Sequence, residues 1–177
     1  MNDKHVIDFL YEKSRELTAH GRPIHYLEIG VQEGGSLWRV LHNPFIQLAV
    51  GIDNWGDEYG GTGRRSPDHL YDRLGDDMGR ALILTGDSHV VLPGMRHFFD
   101  MIFIDGDHSE AGCIRDLGFC LRLLRKNGVI YVDDMNHPKH SYLLAAVDKW
   151  ASENKCSARL YPEPGYGVME VKPVPEL

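Results

Sequence analysis

Short apolar runs that close on glycine or a carboxylate, alternating with segments of helical periodicity, constrain the fold of this chain more than any other feature. The runs are His25-Tyr26-Leu27-Glu28-Ile29 before Gly30, Ala49-Val50-Gly51-Ile52 before Asp53, and Ala81-Leu82-Ile83-Leu84-Thr85 before Gly86-Asp87. Asp100-Met101-Ile102-Phe103-Ile104 before Asp105, and Val129-Ile130-Tyr131-Val132 before Asp133-Asp134, complete the series. A strand covered on both faces reads as such a run instead of alternating with polar residues. Helical spacing predicts helices over 37–42, 68–78, 109–124 and 141–153, the third with Ile114, Leu117, Leu121 and Leu124 on one face. An opening helix within 1–22 carries Val6, Phe9, Leu10 and Leu17 and is ended by Gly21-Arg22-Pro23. Lys126-Asn127-Gly128 reads as the stop of the 109–124 helix. Runs at 157–161 and 167–172 flank the turn Pro162-Glu163-Pro164-Gly165 and predict a closing antiparallel hairpin. Strands alternating with helices predict an α/β fold, a doubly wound and mostly parallel sheet in a single domain spanning 1–177.

Composition narrows the function classes. A net charge of −7 opposes a broad nucleic-acid surface. No stretch approaches the ~18 apolar residues of a membrane span, and the polar start Met1-Asn2-Asp3-Lys4-His5 lacks the apolar centre of a signal peptide. Cys113, Cys120 and Cys156 are odd in number and form no C-x-x-C pair. That pattern predicts neither a disulfide framework nor a zinc knuckle, and favours a cytoplasmic protein.

Two segments carry chemistry. Glu28-Ile29-Gly30-x-x-x-Gly34-Gly35-Ser36 follows a strand and opens a helix, where glycines let a ligand approach the backbone and free N–H groups face it. Its spacing is not that of the dinucleotide fingerprint, and a plain strand-to-helix turn is the competing reading. Asp53, at the end of the second run, suits ribose hydroxyls. Asp105-Gly106-Asp107-His108 and Asp133-Asp134 are the second feature. Carboxylates gathered at strand ends repel one another and lose hydration, which predicts a cation between them. Helix capping by each acid is the alternative for either cluster taken singly.

From Tyr26 to Pro138 these motifs, in this order, resemble a class I S-adenosylmethionine-dependent methyltransferase of the small metal-dependent O-methyltransferase kind, similar to catechol and macrocin O-methyltransferases. The resemblance implies a Rossmann-like, seven-stranded sheet with S-adenosylmethionine as cofactor. It implies that Glu28, Gly30, Gly34 and Ser36 hold the methionine part, that Asp53 holds the ribose, and that Asp87 and Ser88 flank the adenine, with Asp105 close by. It further implies Mg²⁺ on Asp105, Asp133 and Asp134, with Mn²⁺ or Ca²⁺ as substitutes, in a hard, oxygen-rich site. His108 stands where the catechol enzymes carry a lysine, and as a general base beside Asp105 it would accept the acceptor's proton. Helix capping, or orienting Asp107, is the other role open to His108.

Other residues are weighed against ordinary roles. His137 and His140 follow Asp133-Asp134 closely enough to enter the site, His137 as a substrate contact, whereas loop histidines are commonly solvated. Trp55 and Tyr59 would stack on adenine or line the mouth, or simply pack. The glycine-rich loop 55–67 reads as a lid, with Arg64 and Arg65 drawing in an anionic substrate. The expected function is Mg-assisted O-methyl transfer to a small hydroxylated molecule such as a sugar, catechol or polyketide. A homodimer would complete a pocket with few capping elements. A metal-dependent hydroxylase or hydrolase on the same scaffold, and a non-catalytic cofactor-binding module, are the alternatives.

Overall fold

A computed structural model describes residues 3–56 and 67–175. The elements run α1 (Asp3–Leu17), β1 (Ile24–Ile29), α2 (Gly35–Leu41), β2 (Ile46–Asp53), α3 (Asp68–Leu74), β3 (Ala81–Thr85) and α4 (Ser88–Val91). They continue with β4 (Phe99–Ile104), α5 (Glu110–Leu123), β5 (Leu124–Val132), α6 (Leu143–Glu153), β6 (Cys156–Tyr161) and β7 (Val168–Pro173). Seven strands form one sheet in the order β3-β2-β1-β4-β5-β7-β6. β1 to β5 are parallel, while β7 runs antiparallel between β5 and β6. The expected doubly wound sheet with its closing hairpin is therefore present.

Strand periodicity explains why the central runs are apolar throughout. Successive side chains point to opposite faces, and here both faces are covered. Leu27, Ile29, Ile102, Ile104, Ile130 and Val132 pack with Leu117, Cys120, Val147 and Trp150 of α5 and α6. Tyr26, Met101, Phe103, Val129 and Tyr131 pack with Leu10, Leu37, Val40 and Leu41 of α1 and α2. Each such side chain contributes roughly 1.5–3 kcal/mol on burial. Cys113, Cys120 and Cys156 are buried free thiols that serve as small apolar groups.

Two expectations need correction. The 68–78 helix stops at Leu74, and residues 75–80 form a 3₁₀ turn. Gly75 at φ +49 and ψ −123 leaves the helical region, ending α3 before its pattern does. Gly128 is not a helix stop either. The chain passes from Leu123 of α5 directly into β5, and the pairing with β4 shifts register between Phe99 and Met101. Asn127 at φ +67 absorbs that shift within the strand.

The centre of the sheet is where order matters for the site. A reversal of strand order opens a crevice beyond the carboxyl ends of the strands, and here it falls between β1 and β4. Asp105 N–H donates to the Ile29 carbonyl at 2.8 Å, and Gly30 N–H donates to the Ile52 carbonyl at 2.9 Å. Gly30 has φ +83, and a Cβ built there would fall on the carbonyl oxygen of Asp105. Gly30→Ala is therefore expected to cost on the order of 3 kcal/mol or more, through steric overlap and left-handed backbone together. A thermal melt within a degree or two of the parent would contradict this close approach.

Candidate active site

Strand ends supply most of the functional side chains. Ile29, Gly30, Ile52, Asp53, Gly86, Asp87, Ser88, Asp105 and Asp107 line a first cleft of about 540 Å³. A second, wider one of about 1600 Å³ is lined by Val6, Val31, Ser36, Phe103, Asp133, Asp134, His137 and His140, among others. Gly30, Gln32, Asp105 and His108 belong to both clefts. Three of the non-glycine residues with positive φ stand at strand ends here, namely Gln32, Trp55 and Asp134. Backbone of this kind persists where the surroundings over-determine it, as functional sites commonly do.

On the first cleft, Asp53 accepts from Gln32 N–H at 2.7 Å and from Trp55 N–H at 2.7 Å. Each carboxylate oxygen is thus aimed by a backbone donor while keeping a lone pair for a ligand hydroxyl. Gln32 had no side-chain signal in the sequence, because it acts through its backbone. Asp87 caps α4, accepting from His89 N–H at 2.8 Å. The Ser88 hydroxyl donates to Asp116 at 2.8 Å. Burial lifts the Asp116 carboxyl to about 6, against the pull of that hydrogen bond and of His89. Asp107 accepts from Ser109 N–H at 2.8 Å, so it organises the entry to α5, while Ser109 provides the cap itself.

The glycine turn divides between binding and architecture. Gly30 lines both clefts and Ser36 the second, whereas Gly34 is the left-handed cap of α2 packed against Leu70. Glu28 lines neither. It is fully buried and accepts from the Tyr26 hydroxyl at 2.7 Å and from the Ser36 hydroxyl at 2.5 Å. Burial raises its carboxyl to about 8, with both hydrogen bonds opposing the shift. Its role in this geometry is to tie β1 to the first turn of α2. Trp55 is a core residue whose indole N–H donates to Thr85 at 3.0 Å, so packing decides it. Tyr59, Arg64 and Arg65 of the expected lid lie outside the described residues.

At the second cleft, His108 stands between the two acidic clusters. Its Nε2 faces Asp105 at 3.5 Å and its Nδ1 faces Asp134 at 3.1 Å. Burial alone would lower the imidazole's pKa, but hydrogen bonds and charge from Asp105 and Asp134 prevail and hold it at about 10. As an imidazolium it is one cation between the carboxylates, and in that state it has no lone pair for a proton. Asp133 is pushed well up by burial and by the charge of Asp105 and then Asp134, despite the Asp134 N–H it accepts at 2.8 Å. Burial pushes Asp134 up too, yet His108 outweighs it and leaves that carboxyl low.

His140 joins this group. One donor atom each from His108, Asp134 and His140 lies within 4.8 Å of the others. The Tyr142 hydroxyl donates to the His108 carbonyl at 2.8 Å and stands 3.3 Å from His140 Nδ1. His137 stacks on His140 and meets Tyr166 edge-on. The turn before β7 clasps the loop after β5, with Met135 N–H donating to the Gly167 carbonyl and Asn136 N–H to the Tyr166 carbonyl. The three-residue spacing of His137 and His140 was the available sequence signal, and only the fold shows which of them turns toward Asp134.

A family model described as a methyltransferase domain matches residues 27–135. The chain belongs to that family. Its seven-stranded sheet is the Rossmann-like sheet of a methyltransferase domain. A curated relative, an uncharacterized protein of Acanthamoeba polyphaga mimivirus, is 28% identical over 127 residues, covering 70% of this chain. The chain spans 58% of the length of that relative. Among solved structures, a Bacillus cereus O-methyltransferase in complex with SAH matches with a TM-score of 0.68 at 19% identity, over 91% of this chain and 79% of that one. A TDP-rhamnose 3′-O-methyltransferase of calicheamicin biosynthesis matches with a TM-score of 0.67 at 19% identity, over 93% of this chain and 76% of that one.

The buried carboxyl of Glu28 gives this domain a defined pH response. A carboxyl whose pKa rises from 4.5 to about 8 on folding opposes folding once it ionises in the unfolded chain. That cost is absent at low pH, grows as pH climbs past the unfolded value, and is complete above the folded one. Glu28→Gln keeps the shape and one acceptor oxygen. It is expected to raise stability near pH ~9 by on the order of 2–4 kcal/mol, read as a higher Tm, and to change it little near pH ~5. Melts of both proteins across this range check it, and a difference that does not vary with pH would contradict it.

Proposed function

We propose that this domain transfers the methyl group of S-adenosylmethionine to a hydroxyl oxygen of a small molecule, with a divalent cation helping to hold the acceptor. The observation that carries the reading is the junction of the two clefts at Gly30, Gln32, Asp105 and His108. A donor in one cleft and an acceptor in the other would meet there. Proximity of that kind supplies much of the acceleration in a displacement reaction.

The first cleft suits the cofactor. Its walls include Ile29 and Ile52, and Asp53 offers oriented oxygens for a vicinal diol. Asp87 and Ser88 stand where the adenine would lie, and Ser36 and the Gly30 turn where the methionine part would. Glu28 supports that turn from beneath. When bound, the sulfonium would supply an electrophilic methyl carbon with a neutral thioether as its leaving group. The chain's part is to align the acceptor oxygen and take away its proton. His108 is placed for that proton only after its own has been released, and a cation at its carboxylate partners favours such release.

The acidic residues Asp105, Asp133 and Asp134 are the seat we propose for the cation. Their oxygens fit Mg²⁺, whereas the imidazoles of His108 and His140 among them do not. A sugar, catechol or polyketide hydroxyl is the acceptor class we favour. The cytoplasm is the compartment we propose, in keeping with three buried thiols that form no disulfide. Among the described residues no helix is long and apolar enough to cross a membrane.

S-adenosylmethionine is expected to raise Tm, as a native-state ligand does. Asp53→Ala is expected to weaken cofactor binding about 10–100-fold, the worth of a charge-assisted hydrogen bond pair, with the unliganded melt little changed. Calorimetric titration measures both. No heat and no thermal shift at saturating cofactor would sink the assignment.

A further inference from the structure

We infer that the cation site of this domain is a mixed nitrogen–oxygen centre, made by His108, Asp134 and His140, that takes a borderline transition-metal ion such as Co²⁺ or Zn²⁺ in preference to Mg²⁺. The inference rests on the methyl-transfer reading above and replaces its Mg²⁺ seat on Asp105, Asp133 and Asp134 with these ligands and this class of ion. Among the described residues, these three bring ligand atoms within 4.8 Å of one another. The pair His108 Nδ1 and Asp134 Oδ2, 3.1 Å apart, already has the spacing of two ligands on one ion. Metal–nitrogen bonds of about 2.1 Å set neighbouring ligands roughly 3 Å apart.

What surrounds the three residues argues for ligation as well as proximity. A metal-bound histidine almost always gives its other ring N–H to a carboxylate, a carbonyl or water, which fixes the tautomer. His108 meets this condition, since with Nδ1 toward Asp134 its Nε2 faces Asp105 at 3.5 Å. His140 meets it through Tyr142. The Tyr142 hydroxyl gives its proton to the His108 carbonyl, so its oxygen is left to accept from His140 Nδ1. The lone pair of His140 then resides on Nε2, the form a metal requires. One aromatic hydroxyl thereby orients both histidines, one through its backbone and one through its ring.

Two imidazoles and one carboxylate select the ion by chemistry. Mg²⁺ demands oxygen ligands and gives up water reluctantly. Imidazole suits Fe²⁺, Co²⁺, Ni²⁺ and Zn²⁺, and affinity rises from Fe²⁺ through Co²⁺ and Ni²⁺ to Cu²⁺ before falling at Zn²⁺. With three protein ligands, the remaining positions would open on the second cleft, which Asp134 and His140 line and which His108 shares with the first. An acceptor's oxygen bound there would stand beside the junction. Asp105 would act as a positioning residue for His108 in place of a ligand, Asp133 would brace Asp134 through its backbone N–H, and a His108 so ligated would give up the base role.

The test uses the full chain stripped with a chelator and then dialysed. Co²⁺ is titrated while its visible d–d absorption is recorded, and Zn²⁺ and Mg²⁺ are titrated by calorimetry. The expected result is one equivalent of Co²⁺ with the absorption of a nitrogen-ligated ion, and Co²⁺ and Zn²⁺ binding on the order of 100-fold or more tighter than Mg²⁺. His140→Ala and Asp134→Ala should each weaken Co²⁺ binding at least about tenfold, and Tyr142→Phe by a smaller factor. Metal-free melts of the variants confirm that they fold, and His20→Ala, on an exposed residue away from the site, should bind Co²⁺ as the parent does. Mg²⁺ binding as tightly as Co²⁺, or full Co²⁺ binding by folded His140→Ala, would overturn the inference. S-adenosylmethionine titrations run alongside separate the two readings: cofactor binding without the Co²⁺ signature removes only the metal assignment, and the reverse removes only the methyl-transfer reading.

Discussion

Everything in the site depends on how closely β1 and β4 approach one another at their carboxyl ends. The Gly30 backbone lies against the Asp105 carbonyl with no room for a side chain. The hydrogen bond from Asp105 N–H to the Ile29 carbonyl locks that contact. Because the strand order reverses at this point, α2 leaves toward one face and α5 toward the other. The gap between them becomes a single crevice with two lobes. Move β4 outward by the width of a methyl group and the residues common to both lobes would separate. The glycine therefore serves the junction first and the ligand second.

Crowded carboxylates are the electrical consequence. Asp105, Asp133 and Asp134 meet above the sheet, and their mutual repulsion has to be offset. His108 does this from within the chain by facing both clusters at once. An imidazolium is a cation that can be displaced, which a lysine ammonium with its far higher intrinsic pKa resists. A metal ion and a proton can therefore compete for the same acidic surroundings. The histidine position thus links occupancy of the second cleft to the protonation of the residue nearest the first.

Much of this was legible in the sequence, for identifiable reasons. Strands buried on both faces must be apolar throughout, so β1, β4 and β5 stand out, and the acids that follow them mark the crevice. The opening helix and the closing hairpin were legible from spacing and turn residues. Gly75 was harder to read, because a glycine inside an amphipathic pattern does not reveal that its backbone leaves the helix. Lys126-Asn127-Gly128 misled for the converse reason: a helix stop and a strand irregularity use the same residues. Asp105, Asp133, Asp134 and Asp53 were found through position after a strand. Tyr142 was not, and His140 was named only alongside His137, since their relation to His108 arises only when the loop before α6 is brought beside the loop after β4. Gln32 acts through its main chain, which leaves no residue-type signal at all.

The hairpin that inserts β7 between β5 and β6 has a further meaning for how the protein is made. The Tyr166-Gly167 turn holds the loop carrying Met135 and Asn136, directly beyond Asp133 and Asp134. Synthesis proceeds from the N-terminus, so the parallel core and the glycine turn emerge from the ribosome before that clasp exists. A nascent or prematurely ended chain lacking β7 would present the first cleft nearly whole and the second unfinished. Completion of the second cleft therefore waits on β7, a strand that lies far along the chain from the glycine turn of that same cleft.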